Sequence, residues 1–142
     1  MKKVSHNNKA TILIIEDDGQ YRDFLSELLQ LAKFNVVTAK NGKEGIGSIA
    51  EDEPDLVLTD IFMPEMDGFE VIMELLATSN PTPVIAMSGH NMNDKASYLD
   101  MIAILGAAEI LQKPIAGRVL IESIENTLIK NEKYIEKLTM TK

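Results

Sequence analysis

The sequence predicts an α/β fold, a doubly wound parallel sheet of five strands with five helices on its two faces. Three observations carry that prediction. Short apolar runs alternate with amphipathic stretches of helical spacing from Ile12 to the C-terminus. The runs are too short for buried helices, and several are bracketed by Pro, Gly, Asn or Asp. Four of them end on polar side chains, at Glu16/Asp17, Asp60, Ser88 and Lys113. Parallel strands point one way, so those four ends gather on one edge of the sheet. The alternation also implies right-handed crossovers.

Each element has its own local signal. Residues 1–9 carry Lys2, Lys3, His6 and Lys9 without apolar spacing and read as a tail. Ile12-Leu13-Ile14-Ile15 is the first buried strand and runs into Glu16, Asp17 and Asp18. Tyr21, Phe24, Leu25, Leu28, Leu29 and Ala32 follow helical spacing, with Asp18 as N-cap. Residues 34–38 form a second strand nearer an edge. Asn41 and Gly42 open a weak helix whose buried side is Ile46, Ile49 and Ala50. Gly42, Gly45 and Gly47 weaken it further.

Pro54 precedes the third strand, Leu56-Val57-Leu58-Thr59, which stops at Asp60. Met63-Pro64 and Asp67-Gly68 mark a loop, and Asp67 with Glu70 forms a capping pair. The helix that follows buries Phe69, Ile72 and Leu76. Val84-Ile85-Ala86-Met87 is the fourth strand, closing on Ser88-Gly89. Residues 90–95 read as a loop, and Tyr98, Met101, Ile102 and Leu105 as a helix stopped by Gly106. Residues 108–111 form a fifth strand that runs into Gln112, Lys113 and Pro114, and one long helix follows from Ile115.

Composition narrows the function. The chain has 142 residues, enough for one domain with a buried core. Its net charge of −8 argues against a nucleic-acid surface, because a phosphate backbone would be repelled. There is no cysteine, which excludes disulfides, thiolate metal sites and Cys nucleophiles. No apolar run approaches the roughly 20 residues that a bilayer span requires. The expectation is a cytoplasmic, soluble protein of one domain over residues 10–129, with residues 130–142 extending the last helix.

The polar strand ends suggest the chemistry. Carboxylates packed together raise one another's pKa, and a divalent cation relieves that repulsion. Hard oxygen ligands favour Mg²⁺. Ser88 offers a hydroxyl donor and Lys113 a compact positive charge for a phosphoryl oxygen. Asp60 is the candidate nucleophile, since carboxylates form aspartyl-phosphates. The reaction suggested is phosphoryl transfer onto Asp60, with the protein supplying position and charge.

Four blocks then carry a resemblance. They are Ile12-Leu13-Ile14-Ile15-Glu16-Asp17-Asp18, Leu58-Thr59-Asp60-Ile61-Phe62-Met63-Pro64-Glu65-Met66-Asp67-Gly68, Ala86-Met87-Ser88-Gly89 and Gln112-Lys113-Pro114. In this order they make the chain, from about Thr11 to Ile129, similar to the receiver domain of two-component response regulators. The resemblance implies a flavodoxin-like fold of strand order 2-1-3-4-5. It implies that Asp60 accepts a phosphoryl group from a phosphohistidine on a sensor histidine kinase or histidine phosphotransfer protein. Asp17 would be the direct Mg²⁺ ligand, Glu16 would act largely through water, and the Phe62 backbone carbonyl would complete the protein's share of the metal shell. Asp18 lies outside that set. Ser88 would be the switch hydroxyl, Lys113 the phosphoryl-binding lysine, and the Lys113–Pro114 bond cis. Output would pass through a protein-binding surface over residues 93–127.

The sequence departs from the family in places. Three residues before the lysine the family has Tyr or Phe, and here stands Ile110. Phe62 and His90, two residues beyond Asp60 and Ser88, would flank the phosphoryl group. Phe62 is expected to limit water attack on the phosphorylated state. So few residues follow the last helix that a receiver without an attached effector is expected. A phosphorelay intermediate is an alternative. An aspartyl-phosphate phosphatase is another, but it would carry an acid where Phe62 stands. A flavin carrier would need a hydroxyl-rich loop where the three acids stand. Ile121, Ile124, Leu128, Asn131, Ile135 and Leu138 follow heptad spacing, short of a full coiled coil. A monomer is expected, with a weak homodimer as the alternative.

Overall fold

The computed structural model describes residues 9–63, 65–89, 100, 103 and 105–140, and side chains through residue 132. Five parallel strands form one sheet in the order β2-β1-β3-β4-β5. They are β1 (Thr11–Ile15), β2 (Asn35–Ala39), β3 (Leu56–Asp60), β4 (Val84–Ser88) and β5 (Glu109–Gln112). Among the described residues there are four helices: α1 (Gly19–Leu31), α2 (Gly42–Asp52), α3 (Gly68–Ala77) and α4 (Gly117–Met140). The helix expected around Tyr98, Met101 and Ile102 lies outside the described residues, as do His6, His90 and Pro64. Asp100, Ala103 and Leu105 are helical, and Gly106 follows with φ at 112°.

Alternation along the strands divides the core in two. Ile12, Ile14, Leu56, Leu58, Ile85 and Met87 face α1 and α4, packing against Leu25, Leu29, Leu120, Ile124 and Leu128. Leu13, Ile15, Val57, Val84 and Ala86 face the opposite side, with Ile49, Val71, Ile72 and Leu75 of α2 and α3. The three central strands are therefore apolar on both faces, as parallel strands covered by helices must be. The edge strands β2 and β5 are only partly buried. This matches the expectation of an edge for the second strand.

Two helix faces differ from the sequence expectation. Ala50 is exposed, and the buried side of α2 is Gly42, Gly45 and Ile49, with Ile46 partly buried against the core as expected. A Cβ on Gly45 would collide with the Ile15 side chain, so the glycine that weakens the helix also lets it approach β1. On α3, Leu76 is 54% exposed while Val71, Ile72 and Leu75 are buried. Phe69 is half-buried. Spacing alone could not choose between the two overlapping apolar stripes of this helix. The capping pair does form: Asp67 accepts from the Glu70 amide, and Glu70 accepts from the Asp67 amide. Asp18 caps α1, accepting from the amides of Gln20 and Tyr21. On α4 the apolar spacing is used against the sheet at Ile124 and Leu128. The side chains of Ile135 and Leu138 lie outside the described residues.

Candidate functional site

Register brings the polar strand ends together. Ile15 pairs with Thr59, so Glu16 and Asp60 follow side by side at the C-terminal rim. Asp60 pairs with Met87, and Ser88 is the next residue of β4. Ser88 pairs with Gln112, and the Lys113 amide donates to the Ser88 carbonyl at 2.7 Å. Glu16, Asp60, Ser88 and Lys113 thus reach one rim from four strands. The Lys113–Pro114 bond is cis.

Lys113 is the hub of the site. Its Nζ donates to Glu16 Oε1 at 2.6 Å and to Asp60 Oδ2 at 3.2 Å, across 97 and 53 positions of sequence. Carboxylate oxygens of Glu16, Asp17 and Asp60 all lie within 4.8 Å of one another. Glu16 and Asp60 are 1% and 8% exposed, Ser88 is 2% exposed, and Asp17 faces solvent. Asp18 turns away to cap α1. It lies outside the acidic group, as expected.

One lysine between two nearly buried carboxylates leaves an excess of negative charge. Burial, with the Asp60 charge adding to it, pushes the Glu16 carboxyl up to about 7, against the lowering effect of the Lys113 hydrogen bond. Burial alone would lower Lys113, but its contacts with Glu16 and Asp60 outweigh it and hold the ammonium above its ordinary value. The two partners of one ion pair are thus both raised. Each carboxylate helps the lysine stay charged, whereas Glu16 meets burial and a second acid as well. Three acids with one base form a donor set suited to a hard divalent cation, because added positive charge removes the repulsion. The group therefore fits Mg²⁺.

Several supporting residues gave no functional signal in the sequence. The Arg22 guanidinium donates to the Glu16 carbonyl at 2.8 Å and fixes the β1–α1 turn. The Thr59 hydroxyl donates to the Asp60 carbonyl at 3.0 Å. The Gly68 amide donates to the Ile61 carbonyl at 2.9 Å, and a Cβ on Gly68 would lie 2.7 Å from the Asp60 carbonyl oxygen. In the sequence Gly68 marked only a turn beside the Asp67 cap, yet the glycine is what lets α3 begin against Asp60. The Lys113 ammonium also sits 4.6 Å from the centre of the Tyr21 ring. Phe62 and Ile110 both pack against the α2/α3 side of the core.

Comparisons with known proteins agree with this fold. A family model for the response regulator receiver domain matches residues 12–125. A response regulator MprA of Mycolicibacterium vanbaalenii is 33% identical over 106 residues, which are 74% of this chain and 44% of that protein. The transcriptional regulatory protein AfsQ1 of Streptomyces coelicolor is 33% identical over 125 residues, 87% of this chain and 53% of that protein. The chain thus spans about half the length of these curated relatives. A solved receiver domain protein from Clostridium thermocellum is 30% identical with a TM-score of 0.77, covering 89% of this chain and 98% of that one. A CheY-like receiver protein from Methanospirillum hungatei is 26% identical with a TM-score of 0.80, covering 89% and 99%.

Proposed function

Because the chain belongs to the response regulator receiver domain family, a family of signalling domains, we propose that Asp60 is its phosphoacceptor and that phosphorylation switches a protein-binding surface. The observation that carries this reading is the bridging of Glu16 and Asp60 by Lys113 at 2.6 and 3.2 Å beside a third acid. An Asp60 carboxylate oxygen attacks phosphorus and forms the acyl-phosphate P–O bond. The donor's P–N bond breaks, and its electron pair leaves with the imidazole of a phosphohistidine protein. Lys113 is released from Asp60 Oδ2 and holds a phosphoryl oxygen, while the Ser88 hydroxyl donates to another. Glu16, Asp17, Asp60 and the Phe62 carbonyl would hold Mg²⁺, which offsets charge on the phosphoryl oxygens when bound.

Phe62 supports this reading in a second way. An acid there would serve as general base for turnover of the aspartyl phosphate, and a phenyl side chain cannot. The phosphorylated form therefore persists, and the protein acts as a switch rather than a phosphatase. Slower decay of the phosphorylated wild type than of Phe62→Ala is the expected result. The output surface spans residues 93–127, of which β5 and the start of α4 are described.

The test is incubation with Mg²⁺ and acetyl phosphate, followed by intact mass measurement. One phosphoryl group is expected, absent in Asp60→Asn and absent with excess chelator. A wild-type chain that stays unmodified under these conditions overturns the reading.

A further inference from the structure

The Lys113 ammonium has a neighbour besides the two carboxylates. Tyr21, in the first turn of α1, presents its ring at 4.6 Å from Nζ. Strand parity explains the meeting. Asp60 shares the parity of Leu56 and Leu58, which face α1 and α4. The lysine that bridges the acids is therefore closed in from the α1 side. The Asp18 cap and the Arg22 bond to the Glu16 carbonyl pin this turn of α1 from both sides of Tyr21. Phe24, itself exposed, stacks on Tyr21 with ring centres 6.0 Å apart.

The hydroxyl contributes little to this arrangement. It is buried beside the backbone of Ile115 and makes no well-formed hydrogen bond among the described residues. The useful part of Tyr21 is the ring face, whose negative quadrupole attracts a cation without competing for its protons. Nζ keeps its hydrogen bonds to Glu16 and Asp60 while the ring limits how far it can swing out of the site. Ile110, at the position three before Lys113, packs into the opposite side of the core and supplies no aromatic face to the lysine.

We propose that Tyr21 is a positioning residue for phosphoryl transfer: its ring holds the Lys113 ammonium over Asp60, so that the lysine is already in place when a phosphoryl group arrives. The inference rests on Asp60 being the phosphoacceptor. It concerns the lysine rather than the acids, so it separates two quantities. Losing the ring slows phosphorylation and leaves metal affinity unchanged.

The experiment uses the full chain with acetyl phosphate as phosphodonor, comparing wild type, Tyr21→Phe, Tyr21→Leu and Tyr21→Met. Phosphorylation rate constants come from intact mass at saturating Mg²⁺, and Mg²⁺ affinity from calorimetry. Tyr21→Leu and Tyr21→Met are expected to be roughly threefold or more slower, the scale of a partly buried cation–π contact. Tyr21→Phe should match wild type, because it keeps the ring. Mg²⁺ affinity should stay within twofold in all four proteins. Leu and Met variants as fast as wild type overturn the proposal. So does a Phe variant as slow as the Leu variant, which would assign the effect to the hydroxyl. A parallel fall of rate and Mg²⁺ affinity also overturns it, because that marks a packing defect. An unmodified wild type would instead strike at Asp60 itself, so the two failures are distinguishable.

Discussion

The middle of the sheet and the two inner acids of its C-terminal rim are almost equally dry and chemically opposite. Ile12–Ile15, Leu56, Val57 and Leu58 are fully buried, and just past the ends of these runs Glu16 and Asp60 are 1% and 8% exposed. In the middle, burial and stability agree, since each apolar side chain gains by leaving water. At the rim they conflict. A buried charge is costly unless it is paired, and one lysine cannot pair with two carboxylates at full strength. The raised Glu16 carboxyl is the visible sign of that conflict. The rim is a place where the fold gives up stability to keep a charged site poised.

That contrast can be tested from its strongest side downward. Leu58 is wholly buried between β3 and the α1/α4 layer. Leu58→Ala should destabilise by about 2–5 kcal/mol in urea unfolding, with Mg²⁺ making no difference to the loss. Lys113→Met removes the cation that bridges Glu16 and Asp60 and leaves those two acids, with Asp17 beside them, facing each other. In metal-free buffer at pH 8 it should cost about 1–3 kcal/mol, and saturating Mg²⁺ should recover most of that. A Lys113→Met protein as stable as wild type without metal would break the contrast, because the rim acids would then need no counter-charge.

Protonation gives a smaller and more specific reading. Glu16 has a folded value of about 7 against an ordinary 4.5, so the folded state holds its proton more tightly than the unfolded chain does. Stability from this group is therefore fully present below about 4.5 and falls as pH rises towards 7, then stays level. Glu16→Gln cannot ionise and should lack that decline. The difference in stability between wild type and Glu16→Gln should change by about 1–3 kcal/mol across the window, with wild type losing ground as pH rises. Lys113 works in the same sense but in a far more alkaline range. Its raised value adds stability at neutral pH that disappears only on strongly alkaline titration. Mg²⁺ should flatten the Glu16 window by favouring the ionised carboxylate.

The smallest effect belongs to a residue that looks like core and is not. Leu75 is buried on α3, while its neighbour Leu76 is 54% exposed. Leu76→Ala should alter stability by no more than about 0.5 kcal/mol, while Leu75→Ala should cost about 2 kcal/mol or more. Equal losses at the two positions would show that the outward face of α3 is covered in solution.

Much of this molecule is written locally. The strands Thr11–Ile15, Leu56–Asp60 and Val84–Ser88 are apolar runs that stop on polar residues, and the chain needs nothing distant to specify that. The caps at Asp18 and Asp67 are equally local, because a side chain two or three residues from an unpaired amide can satisfy it. Parallel order then follows from alternation, so the gathering of Glu16, Asp17, Asp60, Ser88 and Lys113 was legible before any coordinates. Helix faces were less so. Gly45, rather than Ala50, lies against the sheet because Ile15 stands opposite and leaves no room for a Cβ. That fact belongs to β1, and spacing within α2 cannot contain it.

The sequence by itself determined the strands, their polar ends and the rim on which those ends meet, because hydrophobic period and capping act over a few residues. Only the tertiary structure decided that Glu16 is the dry, lysine-bound acid and Asp17 the one facing solvent. It also decided that Tyr21 covers the ammonium of Lys113. Those outcomes depend on strand register and on how closely α1 lies against the rim, which are set by packing between segments far apart in the chain.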